Sequence, residues 1–159
     1  MQEQKYEKST FAAGCFWGVE AAFRQIKGVK STRVGYTGGN MESPSYEDVC
    51  TDETGHAEAV EVTYDPKKVS YLDLLKVFWQ NHNPTQLNRQ GPDVGTQYRS
   101  AVFYHDEKQK QVALKSLEQE QKKYKAKITT DIKKADTFFE AEDYHQQYLE
   151  KRGLSTCHI

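Results

Sequence analysis

The sequence predicts an α/β fold: a ferredoxin-like α/β sandwich on a mixed sheet, with long loops and an irregular C-terminal tail. Three observations predict it. Short β-type runs alternate with amphipathic helical patterns, giving two successive strand–helix–strand units. Turn-forming residues gather in two stretches, spaced so that both loops fall at one end of the sandwich. Only 36% of the 159 residues are hydrophobic, yet ten Tyr, seven Phe and two Trp supply large rings for a core. That aromatic content separates the chain from disordered sequences of similarly low mean hydropathy. No repeat, low-complexity tract or long linker divides the chain. Residues 1–159 are therefore expected to form a single domain, with 153–159 a mobile tail.

Each element has its own local signal. Ser9 to Ala13 is a short apolar strand ending at Gly14. A helix follows from Cys15 to Ile26, with Val19, Ala22, Phe23 and Ile26 on one face and Gly28 as its stop. Val29 to Tyr36 is the second strand. Thr37 to Glu53, with Gly, Pro and Ser turn signals, reads as a loop long enough to suggest function. His56 to Asp65 is the third strand, ended by Pro66. Ser70 with Asp73 forms a capping-box pattern ahead of a helix carrying Leu72, Leu75, Phe78 and Trp79. A second long loop spans Asn81 to Gln97, and Tyr98 to Tyr104 is the fourth strand. Asp106 with Gln109 opens a charged helix to Tyr124. Ile128 to Ile132 is expected as an edge strand, and Glu140 to Lys151 as a last helix stopped by Gly153.

Composition excludes several function classes. With 22 basic and 23 acidic residues the net charge is -1, so no global field attracts nucleic acid or an anionic membrane. The basic stretch KKYKAK at 122–127 continues a charged helix and reads as a solvated face. No apolar run approaches the roughly 18 residues of a membrane span. The opening MQEQKYEK lacks the apolar segment of a signal peptide. Three cysteines make no closed disulfide framework, which favours a reduced, cytoplasmic thiol protein. The five histidines show no paired ligand spacing and there is no CxxC, so no metal site is expected.

The chemistry-bearing candidates are few. Cys15 follows a strand, sits between Gly14 and Gly18, and occupies the first turn of a helix. Backbone N–H groups and the helix dipole favour a thiolate there; the plain alternative is a small buried hydrophobe beside Phe16 and Trp17. Glu58 shares a strand face with His56, Val60, Val62 and Tyr64. It is either an exposed strand-end carboxylate or a buried acid that stays protonated and donates to a reacting oxygen. Tyr36, Tyr46 and Tyr98 lie in or beside the loops, where a phenol packs or donates a hydrogen bond. Asp93 either caps a turn or orients one of those hydroxyls. Cys157, on the tail, is either incidental or a thiol able to swing to another cysteine. Cys50 is either a buried structural thiol or a second redox partner.

Three blocks carry a resemblance: GCFWG at 14–18, GHAEAVEVTYDP at 55–66 and DVGTQYRSAVFY at 93–104. In this order and spacing they closely resemble the peptide-methionine (S)-S-oxide reductases, the methionine sulfoxide reductase A family. The likeness continues more weakly through YHQQYL at 144–149. The resemblance implies a thiol-dependent reductase of the S epimer of free and protein-bound methionine sulfoxide. It implies Cys15 as nucleophile, Phe16 and Trp17 as the wall receiving the S-methyl group, and Glu58 as proton donor. Tyr46 and Tyr98 match the tyrosines that bond the sulfoxide oxygen, and Asp93 matches a supporting acid. Ser43, Asn83 and Pro92 depart from the family's usual residues without removing a catalytic group. The tail holds only Cys157, where many relatives have glycine-rich tails with one or two recycling cysteines.

On this reading Cys15 attacks the sulfoxide sulfur and becomes a sulfenic acid. Cys157 closes a Cys15–Cys157 disulfide, and thioredoxin reduces it; no metal or organic cofactor is needed. The partners expected are thioredoxin and oxidised substrates, without nucleic acid or membrane, for a monomeric protein. Two rivals use overlapping residues. A thiol peroxidase or cysteine redox sensor needs Cys15 and a resolving thiol, but no methyl pocket or strand-borne acid. A peptide-binding module would use the aromatic side chains and leave Glu58 unexplained.

Overall fold

The computed structural model describes residues 6–51 and 54–151. Its centre is a six-stranded sheet built from β1 (Glu7–Ala13), β2 (Val29–Thr37), β3 (Ala57–Tyr64), β6 (Ser100–Tyr104), β7 (Asp131–Lys134) and β8 (Phe139–Glu140). The strand order is β7-β6-β1-β3-β2-β8. Its inner part, β6-β1-β3-β2, is the antiparallel core of the ferredoxin-like sandwich. The β7 strand then joins β6 in parallel, which makes the sheet mixed. The β3 strand is central, paired along its length to β2 and over its C-terminal part to β1.

Alternation along the strands sorts two layers. Phe11 of β1, with Val60 and Val62 of β3, faces the helices α1 (Phe16–Arg24) and α3 (Tyr71–Gln80). There Phe11 packs its ring on Phe23 at 5.0 Å, Phe78 at 5.4 Å and Tyr71 at 5.9 Å. Ala12, Ala57, Ala59 and Ala101 face the other way with Phe103 and meet Ala135 and Phe138 of the segment leading to β8. These small side chains admit irregular chain where a second helical layer would otherwise be needed. Gly35 extends the same economy: a Cβ there would stand 2.3 Å from the Phe139 carbonyl, so only glycine lets β8 pair against β2.

The capping box at Ser70 and Asp73 forms as the sequence predicts, with both reciprocal bonds at 3.1 Å. Asp106 caps α4 (Glu107–Gln121) by accepting from Gln109 N–H at 2.8 Å. Several expectations need correction. The first long loop contains a short helix, α2 (Tyr46–Cys50), closed by a second capping box at Ser45 and Asp48. The second contains a two-stranded ribbon, β4 (Arg89–Gln90) and β5 (Asp93–Val94), and a 3-10 turn at Thr96–Tyr98. The edge strand expected at 128–132 begins at Asp131.

The helix expected over 140–151 is absent. Its place is taken by β8, a 3-10 turn at Asp143–His145 and a short α5 (Tyr148–Lys151). Backbone competition explains this. Gln146 uses its side-chain amide to bond both Val34 N–H and Val34 C=O, and Gln147 adopts a positive φ of 50°. The tail at 153–159, with Cys157, lies outside the described residues. No helix among the described residues is long and apolar enough to cross a membrane.

Candidate active site

The turn from β1 into α1 sets the position of Cys15. Gly14 takes φ +93°, a left-handed conformation that glycine adopts without strain, and Cys15 follows in an extended conformation as the N-cap of α1. The Cys15 side chain makes no cap hydrogen bond, and its position brings it to the N-terminal end of α1. Cys15 is half-buried.

Glu58 arrives from below. It stands on the helix-facing side of β3, paired in register with Tyr36 of β2, and is only 1% exposed. Its Oε1 accepts a hydrogen bond from the Phe16 N–H at 3.3 Å, the residue directly after Cys15. A buried acid thus meets the nucleophile's helix turn. Glu61, on the opposite face, has a different environment: Arg33 bonds it twice, at 2.9 and 3.1 Å. The contrast separates a structural ion pair from an acid aimed at the helix start.

The tyrosines complete one side. Tyr46 opens α2, and its phenol lies close enough to Tyr98 and Cys50 to influence the acidity of both. Burial pushes the Tyr46 phenol far above its ordinary value, with Cys50, Tyr98 and Glu58 adding to the shift. Burial does the same to Tyr98, with Glu58, Cys50 and Asp93 adding to the shift and Tyr46 opposing it. Both are therefore protonated donors across the physiological range, and Asp93 is near enough to act on Tyr98. Partial burial of the sulfur pushes the Cys50 thiol up, against a bond from Tyr46 that pulls it down. Cys50 itself is exposed, which removes the buried structural reading.

The aromatic wall has two depths. Phe16 is 1% exposed, its ring tilted against Tyr36 at 5.8 Å and His145 at 5.2 Å. Trp17, two residues after Cys15 in the first turn of α1, is half-buried.

Two site-building residues escape the sequence reading. Glu142 accepts from the Tyr36 hydroxyl at 3.1 Å and from Tyr46 N–H at 3.2 Å, tying β2 to the start of α2. Burial opposes its charge, but its own backbone N–H, together with these two bonds, holds its carboxyl below the usual carboxylate range. His145 is 1% exposed and accepts from Trp17 Nε1 at 2.9 Å. Both sit in a segment that sequence alone reads as a helix, and their partners are about a hundred residues distant. The signals available are the density of polar and aromatic residues in EDYHQQY at 142–148 and the weaker family likeness at 144–149. Tyr36 serves here as the hydroxyl that Glu142 holds. Among the described residues, no three His, Cys, Asp or Glu side chains lie together as a metal would require.

The arrangement offers a thiol at a helix start, a buried acid, two phenol donors and an apolar wall. Comparisons with known proteins give the family and fold of the chain. The family model described as "Peptide methionine sulfoxide reductase" matches residues 7–159. A relative from Methanothermobacter thermautotrophicus, named "Peptide methionine sulfoxide reductase MsrA", is 60% identical over 157 residues, covering 98% of this chain and 93% of its own. The reduced form of Mxr1 from Saccharomyces cerevisiae superimposes with a TM-score of 0.90 at 39% identity, covering 96% of this chain and 88% of that one. Mxr1 in complex with Trx2 matches with a TM-score of 0.66 at 26% identity, over 92% of this chain and 87% of that one.

Proposed function

The chain belongs to the peptide methionine sulfoxide reductase family, and from that premise we propose that it reduces the S epimer of free and protein-bound methionine sulfoxide by thiol chemistry at Cys15. The observation that carries the residue assignment is the 3.3 Å contact between Phe16 N–H and Glu58 Oε1, which holds a buried acid at the nucleophile's helix turn.

The Cys15 thiolate attacks the sulfoxide sulfur while its S-methyl group rests against Trp17, with Phe16 behind. Negative charge grows on the sulfoxide oxygen. Glu58 delivers a proton there, and the Tyr46 and Tyr98 hydroxyls donate hydrogen bonds in the manner of an oxyanion site. Asp93 orients Tyr98. The S–O oxygen ends on Cys15 as a sulfenic acid, and methionine departs as the thioether. Cys157 then condenses with the sulfenic acid, releasing water and forming the Cys15–Cys157 disulfide. A thioredoxin dithiol exchanges with that disulfide and restores both thiols. The solved complex of the yeast relative Mxr1 with Trx2 supports thioredoxin as reductant.

A second resolving thiol has one observation in its favour: Cys50 is exposed and sits on α2, the short helix whose first residue is Tyr46.

Turnover with the two separated sulfoxide epimers, thioredoxin and its reductase tests the proposal. Methionine production from the S epimer alone is expected. Equal use of both epimers, or faster turnover of hydrogen peroxide, overturns it in favour of a broader thiol reductase or a thiol peroxidase.

A further inference from the structure

Trp17 lies in the first turn of α1, two residues after Cys15. Two residues of the C-terminal segment hold its indole. Tyr148 stacks flat on it, with ring centroids 3.8 Å apart and planes 12° from parallel. His145 accepts the indole N–H at its Nδ1, 2.9 Å away. That bond dictates the imidazole's state. With Nδ1 as acceptor, the ring is neutral and its proton sits on Nε2. Nε2 is buried with no hydrogen-bond partner among the described residues. The ring is enclosed by Tyr144 at 4.0 Å, Tyr46 at 4.6 Å and Phe16 at 5.2 Å. A fold normally satisfies a buried imidazole at both nitrogens. Here only Nδ1 is engaged, and its bond goes to the wall residue next to the nucleophile.

We propose that His145 is a positioning residue for substrate selectivity: it locks the Trp17 indole and so sets the clearance for the S-alkyl group above Cys15. The inference rests on the reading of Trp17 as the methyl-receiving wall. Without its acceptor the indole N–H seeks water, the ring leaves the Tyr148 stack, and the wall loses its fixed width. Clearance matters most for the size of the S-alkyl group, since one methylene in an apolar pocket changes discrimination by about tenfold or more.

Two substitutions separate the hydrogen bond from the packing. His145→Phe keeps a ring among Tyr144, Tyr46 and Phe16 but removes the acceptor. His145→Asn loses the ring but retains an oxygen on Cγ, where Nδ1 is attached. His145→Phe is expected to raise KM for methionine S-sulfoxide about tenfold. Its single-turnover rate at saturation should stay within about twofold of the parent, because Glu58, Tyr46 and Tyr98 are untouched. Its preference for methionine over ethionine sulfoxide should fall about tenfold. His145→Asn should restore most of both parameters. In a Trp17→Phe background, His145→Phe should change nothing further.

The Trp17 indole N–H resonance, assigned by its loss in Trp17→Phe, gives a readout independent of activity. It should exchange slowly with water in the parent and His145→Asn, and fast in His145→Phe. Unchanged KM and selectivity in His145→Phe would overturn the proposal. So would an undiminished effect of His145→Phe in the Trp17→Phe background, or failure of His145→Asn to restore indole protection. If His145→Phe does not fold, the asparagine variant and the indole exchange still decide. A parent protein inactive on methionine sulfoxide would overturn the reading of the wall, while the exchange experiment would still judge the lock.

Discussion

At the scale of single residues, the site divides into groups that sequence makes visible and groups that it hides. Cys15 and Glu58 are visible because local pattern singles them out: a thiol in a strand–glycine–helix turn, and an acid on an apolar strand face. Glu142 and His145 are hidden because their meaning lies in partners far along the chain, Tyr36 and Trp17. The test of Glu58 is chemical. Glu58→Gln keeps an acceptor for the Phe16 N–H but has no acidic proton, so the single-turnover rate should fall about 10²- to 10⁴-fold. Rapid-quench measurement of methionine at saturating enzyme checks it, and an unchanged rate and pH profile would remove Glu58 as the acid. The resolving step has its own test. Cys157→Ser should retain one equivalent of methionine per enzyme yet stop cycling with thioredoxin. If cycling persists and is lost only on adding Cys50→Ser, the thiol beside Tyr46 is the resolver.

At the scale of elements, legibility follows the range of the forces. The capping boxes and strand alternations are short-range, and α1, α3, α4 and the four core strands lie where the local signals put them. The α2 helix and the C-terminal segment obey longer-range demands. A five-residue helix has no intrinsic stability in water. It persists because Ser45 and Asp48 satisfy each other's N–H groups and Glu142 receives the Tyr46 N–H. Ser45→Ala should therefore cost about 1 kcal/mol or less of global stability. It should nevertheless lower turnover about tenfold, because Tyr46 rides on the first turn and donors act only from fixed positions. Urea denaturation beside steady-state kinetics separates the two effects; a proportionate loss of both would mean that α2 does not orient Tyr46.

At the scale of the whole molecule, the antiparallel core was readable because its strands and helices carry clear local patterns, whereas β7 and β8 attach at edges where pattern is weak. The two strands of each strand–helix–strand unit nevertheless pair with strands of the other unit and not with each other. The assembled fold also has a pH response that no segment has alone. His82 bridges α3 to β6, bonding the Phe78 carbonyl at 2.6 Å and the Ser100 hydroxyl at 2.7 Å, and burial pushes its pKa down to about 4. Burial also lowers His105 and His145. The unfolded chain therefore binds more protons than the folded one between pH 6.5 and about 4. Stability from these groups is fully present above pH 6.5 and drains away as pH falls toward 4. Urea midpoints at pH 7 and pH 5 should show the decline; equal midpoints would contradict the buried neutral imidazoles. The Glu20 carboxylate adds a dimension of time. It is buried in α1, near the start of the chain, and accepts from Gln147 N–H at 2.7 Å and from the Gln147 side chain at 2.9 Å. Thr32, on the strand that follows α1, bonds the same carboxylate at 2.8 Å, a contact that closes locally, whereas Gln147 must close a loop of 127 residues to reach it. Chain entropy therefore puts the Gln147 clasp late in folding, after α1 has docked on the sheet.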